Sequence, residues 1–85
     1  MFNTDFDKQY VKVLLLQLRH SDITFERALK ELTKEKIRFY VRNHPERGFN
    51  VVLNDDIKNR LIMVREIFMT TPTKALIFAI ERILE

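Results

Sequence analysis

Tyr10, Val11, Val13, Leu14, Leu15, Leu16 and Leu18 follow one another with only Lys12 and Gln17 as polar interruptions. That density predicts a first helix from about Asp5 to His20, apolar around nearly its whole girth and needing cover on several sides. Asp5 and Asp7 at its start, and Arg19 and His20 at its end, suit the helix macrodipole. A strand over residues 10–18 competes, because a short apolar run does not fix the period. Asp22 or Thr24 then offers an N-cap for "FERALKEL", where Phe25, Ala28, Leu29 and Leu32 share one helical face.

Residues 33–48, "TKEKIRFYVRNHPERG", fit two patterns. A helix capped by Thr33 gathers Ile37, Tyr40, Val41 and His44. A strand puts Ile37, Phe39 and Val41 on one face and Arg38, Tyr40 and Arg42 on the other. Pro45 and Gly48 end either one. From Gly48 onward, Phe49, Val51 and Leu53 alternate with Asn50 and Val52, which marks a strand over 48–53. Asn54 or Asp55 caps a helix reaching about Met69, with Ile57, Leu61, Val64 and Phe68 on its inner face. Thr71 caps a last helix. Pro72 stands at its first position, where a missing N–H costs nothing, and Leu76, Ala79, Ile80, Ile83 and Leu84 form its apolar stripe.

Eighty-five residues with 46% hydrophobic positions and a single glycine describe one mostly helical domain with few long loops. A chain this small buries a modest core, and it has no cysteine with which to staple it. The longest apolar run, "VLLLQL", is too short to span a bilayer, and "MFNTDFDKQY" lacks the basic start of a signal peptide. A soluble, cytoplasmic protein is expected. Residues 1–47 hold ten Lys/Arg against seven Asp/Glu, while residues 48–85 hold five of each, so the net charge of +3 belongs to the first half.

His20 and His44 have no acidic or cysteine partner at ligand spacing, so no metal is expected, and no cofactor motif is present. Asp55 and Asp56 read as a cap pair. With no Gly-rich phosphate loop, nucleophile elbow or paired-histidine motif, an enzyme is not expected.

Strand, helix, turn and helix within residues 48–85 resemble the ribbon-helix-helix family of MetJ/Arc-type DNA-binding proteins. "FNVVLNDDI" matches the strand and helix entry, Thr71-Pro72-Thr73 falls where the family carries paired hydroxyls, and "AIERIL" supplies Ala79, Ile80 and Leu84. Met69 departs from the family, which often has a turn glycine there. The resemblance implies a basic, helical extension over 1–47 and a ribbon-helix-helix unit over 48–85. Two copies would be joined by an intermolecular two-stranded antiparallel ribbon that enters the major groove. It turns Phe49, Val51 and Leu53 inward and leaves Gly48, Asn50 and Val52 facing the bases. Pairing two copies would also close the core around Ile57, Leu61, Ile80 and Leu84.

Phosphate attraction would come from Lys34, Lys36, Arg38, Arg42 and Arg47, with Thr73 and Lys74 at the last helix's N-terminus. If residues 36–42 paired with 48–53, a dimer would present four strands about 4.8 Å apart, too broad for a groove about 12 Å wide. A helical 34–44 is preferred for that reason. The implied role is a homodimeric regulator of double-stranded DNA: a repressor, or a plasmid or phage protein of copy control, partition or conjugation. Two other readings stand beside it. Residues 24–53 could act as a helix-turn-helix with "PERGFNVVLN" as its wing, or the apolar first helix could dock on a partner protein.

Overall fold

A computed structural model describes residues 7–53 and 67–85. Among them are three helices and a two-stranded antiparallel sheet: α1 (Lys8–Arg19), α2 (Phe25–Lys34), β1 (Phe39–His44), β2 (Gly48–Leu53) and α3 (Pro72–Ile83). The helix expected from Asn54 or Asp55 onward, with Ile57, Leu61 and Val64, lies outside the described residues as far as residue 66. Among the described residues, no helix is long and apolar enough to cross a membrane.

Each helix starts on a side-chain cap. Asp7 accepts from the backbone N–H groups of Gln9 and Tyr10, Thr24 from Arg27, and Thr71 from Lys74. Each cap satisfies N–H groups that the first turn leaves without an intrahelical acceptor. Pro72 occupies the first turn of α3, as its fixed φ and missing N–H favour.

Both α1 and α2 end in the same way. Ser21 and Lys36 adopt left-handed backbone angles, φ 59° and 62°. After α2, the Lys36 N–H donates to the Thr33 carbonyl and the Ile37 N–H to the Leu32 carbonyl, at 2.9 and 3.0 Å. That is the Schellman arrangement, and the accompanying apolar contact joins Ile37 to Leu32, both buried. Ile37 thereby anchors the chain in the core and turns residues 38–44 away from the helix axis. The helix expected over 34–44 is therefore not formed. Residues 39–44 are a strand instead, which suits the β-branched and aromatic run "FYV".

The core gathers Val11, Leu14, Leu15 and Leu18 of α1 with Ala28 and Leu32 of α2, Ile37, Val51, Val52 and Leu53 of β2, and Ala75, Leu76, Ala79, Ile80 and Ile83 of α3. The first helix is covered on one stripe only; Val13 and Leu16 remain 48% and 50% exposed. Ile80 and Leu76 are fully buried within a single chain, so a second copy is not needed to cover them. Between α1 and α2, Glu31 is nearly buried. It accepts from the Tyr10 hydroxyl, from Arg27 Nε at 3.1 Å and from Lys34 Nζ at 3.2 Å. The Tyr10 hydrogen bond, seconded by Lys34, holds the Glu31 carboxyl below its usual range.

Pairing runs Phe39 with Leu53 through His44 with Gly48, closed by the three-residue turn Pro45-Glu46-Arg47. Gly48 supplies the positive φ, 103°, that such a turn requires of the residue that leaves it. The expected intermolecular ribbon is corrected here: β2 pairs with β1 of its own chain. Its other edge is also engaged, because Phe49 and Met69 exchange both backbone hydrogen bonds, at 2.8 and 2.7 Å. Residues 67–69 are accordingly not the end of a helix, where the sequence pattern places them, but an extended segment laid against β2.

A Cβ at position 48 would come within 3.0 Å of the Met69 carbonyl oxygen, which is backbone and cannot swing aside. Gly48→Ala combines that clash with a φ unfavourable to L residues and should cost about 2 kcal/mol or more. The urea midpoint checks this, and an unchanged midpoint would count against the close approach of residues 48 and 69.

Candidate nucleic-acid interface

Residues 1–33 carry five cationic and five anionic side chains, and residues 48–85 carry five of each. The entire surplus of +3 therefore comes from residues 34–47, a stretch whose composition is Lys34, Lys36, Arg38, Arg42 and Arg47 against Glu35 and Glu46. The fold turns this stretch outward. β1 is the outer strand of the hairpin, with Arg38, Phe39, Tyr40, Val41, Asn43 and His44 exposed, and the turn Pro45-Glu46-Arg47 is exposed as well. Tyr40 is the most exposed of its large apolar residues, at 62%. A strand flanked by cations at Lys36, Arg38 and Arg47, with an exposed aromatic side chain, has the chemistry to meet phosphate and sugar.

Arg42 and Arg47 also have an internal task. Their guanidinium carbons lie 5.2 and 4.2 Å from the centroid of the Phe68 ring, and the His44 ring meets that ring edge-on at 5.8 Å. Cation–π attraction of this kind fastens the segment 67–69 to the hairpin. The Nδ1 atom of His44 accepts from the backbone N–H groups of Glu46 and Arg47, at 3.2 and 3.1 Å, which fixes the turn. Periodicity places Phe68 on the inner face of a helix. Its role as the ring under two arginines has no periodic signal, because the contacting residues stand more than twenty positions upstream.

Asn50 and Val52 are buried, 1% and 4% exposed, and Gly48 is half-buried. The expectation that these three face the bases is thereby corrected: both faces of β2 are covered from Asn50 onward, where simple alternation implied one. Asn50 spends its amide inside the protein. Its Oδ1 accepts from Arg42 Nε at 3.1 Å, and its Nδ2 donates to the Ile67 carbonyl at 2.9 Å. That bridge joins β1, β2 and the segment 67–69 through one side chain.

Thr73 and Lys74 sit elsewhere. Thr73 lines a cleft of about 410 Å³ together with Leu18, Asp22, Thr24, Phe25 and Arg27 at the α1–α2 corner. Lys74 is exposed beside it, its N–H given to the Thr71 cap. Of the residues expected to contact DNA, the structure thus brings together Arg38, Arg42 and Arg47 on one hairpin. Lys36 joins them at the α2–β1 turn. Tyr40 was not singled out by the sequence; its pattern as an outward strand residue was legible, but only once a strand was chosen over a helix.

Asn50→Ala removes a bridge between three segments and leaves the Ile67 carbonyl without that donor. It should destabilise the protein by about 1–3 kcal/mol, read as a lower urea midpoint; wild-type stability would contradict the bridge.

Comparisons with protein-family models, with curated proteins and with solved structures find no match to this chain.

Proposed function

We propose that this protein is a homodimeric regulator that binds double-stranded DNA through its basic hairpin. The observation that carries the reading is that the whole surplus of positive charge falls within residues 34–47, most of which are exposed. Lys36, Arg38 and Arg47 lie at the surface of β1 and its flanking turns, around Tyr40. Clustered cations gain affinity for a duplex by displacing condensed counterions, and a single hairpin, about 5 Å from strand to strand, is narrow enough to approach a groove. The wing assigned to "PERGFNVVLN" in the sequence is close to this arrangement, with contact moved from Asn50 and Val52 to the outer strand and the turn. Regulation of a small operon, or accessory binding in plasmid or phage maintenance, needs no chemistry beyond such binding.

A second reading has its own observation. Val13 and Leu16, one helical turn apart on α1, are about half exposed and suit docking to a partner protein.

Mobility shifts with random duplex over a salt series separate the two. Log affinity should fall linearly with log salt, and Lys36→Ala with Arg38→Ala, which remove four cations from a dimer, should flatten the slope by about 4 while weakening binding about tenfold or more at low salt. Absent binding, or binding indifferent to salt, would overturn the DNA reading and favour the α1 surface.

A further inference from the structure

Phe49 gives both its N–H and its carbonyl to Met69, so the Asn43–Phe49 pair is not a hydrogen-bonded pair of the β1–β2 ladder. In an antiparallel ladder the two kinds of pair alternate. The bonds between the strands therefore fall at Tyr40–Val52, Arg42–Asn50 and His44–Gly48, and the backbone groups of Phe39, Val41 and Asn43 point away from β2. Among the described residues β1 has no strand on that side. Phe39, Tyr40 and Val41 are 43%, 62% and 37% exposed along the same edge. Charge blunts an edge strand, but an open edge that displays three large apolar side chains remains a template for another strand.

We infer that two copies of the chain join along β1, antiparallel about Val41, to make a continuous four-stranded sheet. This deepens the homodimer of the proposed function and does not depend on DNA; a four-stranded sheet is too broad to enter a groove, so each copy would meet the duplex with its own hairpin turn. The second copy is singled out by register. Centred on Val41, the pairing sets Val41 against Val41 and Phe39 against the second copy's Asn43, so every outward N–H and carbonyl of residues 39, 41 and 43 finds its mate. A shift by two positions in one direction sets Phe39 against Pro45, which has no N–H. The same shift in the other direction sets Asn43 against Ile37, which is held in the core.

The side chains agree with the same register. Arg38 meets His44 and Tyr40 meets Arg42, so no two arginines stand directly opposite and the Tyr40 ring lies beside a guanidinium group. At about 3.4 Å per residue, the two exposed turns lie about 34 Å apart at opposite ends of the sheet. That is close to one turn of B-DNA.

Sedimentation of the full chain without DNA tests the interface. The wild type should sediment as a dimer at about 100 μM, and Val41→Lys, which sets two ammonium groups against each other, should be a monomer with an unchanged circular dichroism spectrum. Because the chain has no cysteine, Val41→Cys adds an independent readout. On mild oxidation it should cross-link to a dimer at least tenfold faster than Val13→Cys on α1. A monomeric wild type, or equal cross-linking at positions 41 and 13, would overturn the interface. DNA binding measured by the same salt series on a monomeric wild type would show that the DNA-binding part of the proposed function stands while its homodimer falls.

Discussion

The reciprocal hydrogen bonds between Phe49 and Met69 decide where every other part of the hairpin can face. With Met69 on one edge and β1 on the other, β2 is an inner strand, and the close approach is permitted because residue 48 has no Cβ to obstruct the Met69 carbonyl. An inner strand in a small domain must be apolar on both faces or satisfy what is not. Val51, Val52 and Leu53 meet the first condition and Asn50 the second, through Arg42 and the Ile67 carbonyl. Loss of β1 would take away the Arg42 donor to this buried amide, and loss of residues 67–69 the Ile67 acceptor, so the three segments are coupled through one side chain.

That arrangement decides which side chains of the hairpin face solvent. Side chains that could read a base are consumed by the interior, and the residues left outside are those of β1 and the turn. Arg42 and Arg47 serve both sides: their guanidinium groups cover Phe68 while their position keeps positive charge at the surface. The charge surplus of the chain falls within residues 34–47, which comprise the end of α2, β1 and the turns on either side of that strand. Binding by such a surface would be governed by phosphate attraction and by shape, with little hydrogen-bonded readout of base edges.

The caps of α2 and α3 were legible because they rest on local chemistry: Thr24 and Thr71 each accept a backbone N–H three residues downstream, whereas Asp7, the cap of α1, falls inside the helix expected from about Asp5. The stripe of α3 and the strand at 48–53 were legible for the same reason, since period alone reports them. The stop after α2 was not. It depends on Lys36 in a left-handed conformation, which favours glycine, and on Ile37 seated against Leu32; no residue type in "TKEKI" announces it. The preference for a helix over 34–44 also borrowed from a ribbon whose partner was assumed to be another copy. Once residues 39–44 are extended, β1 is the nearest antiparallel partner through a three-residue turn, and local pairing of this kind closes a far smaller loop than any other. The burial of Asn50 lay beyond the pattern altogether, because its acceptor and donor come from positions 67 and 42.

Isotope-filtered nuclear Overhauser spectroscopy on an equal mixture of labelled and unlabelled chains examines the inner-strand arrangement most directly. Cross-strand contacts between Val41 and Val51, and between Phe49 and Met69, should appear within single chains and be insensitive to dilution. Contacts between β2 of a labelled chain and β2 of an unlabelled one would contradict it, and would return Asn50 and Val52 to the surface of an intermolecular ribbon.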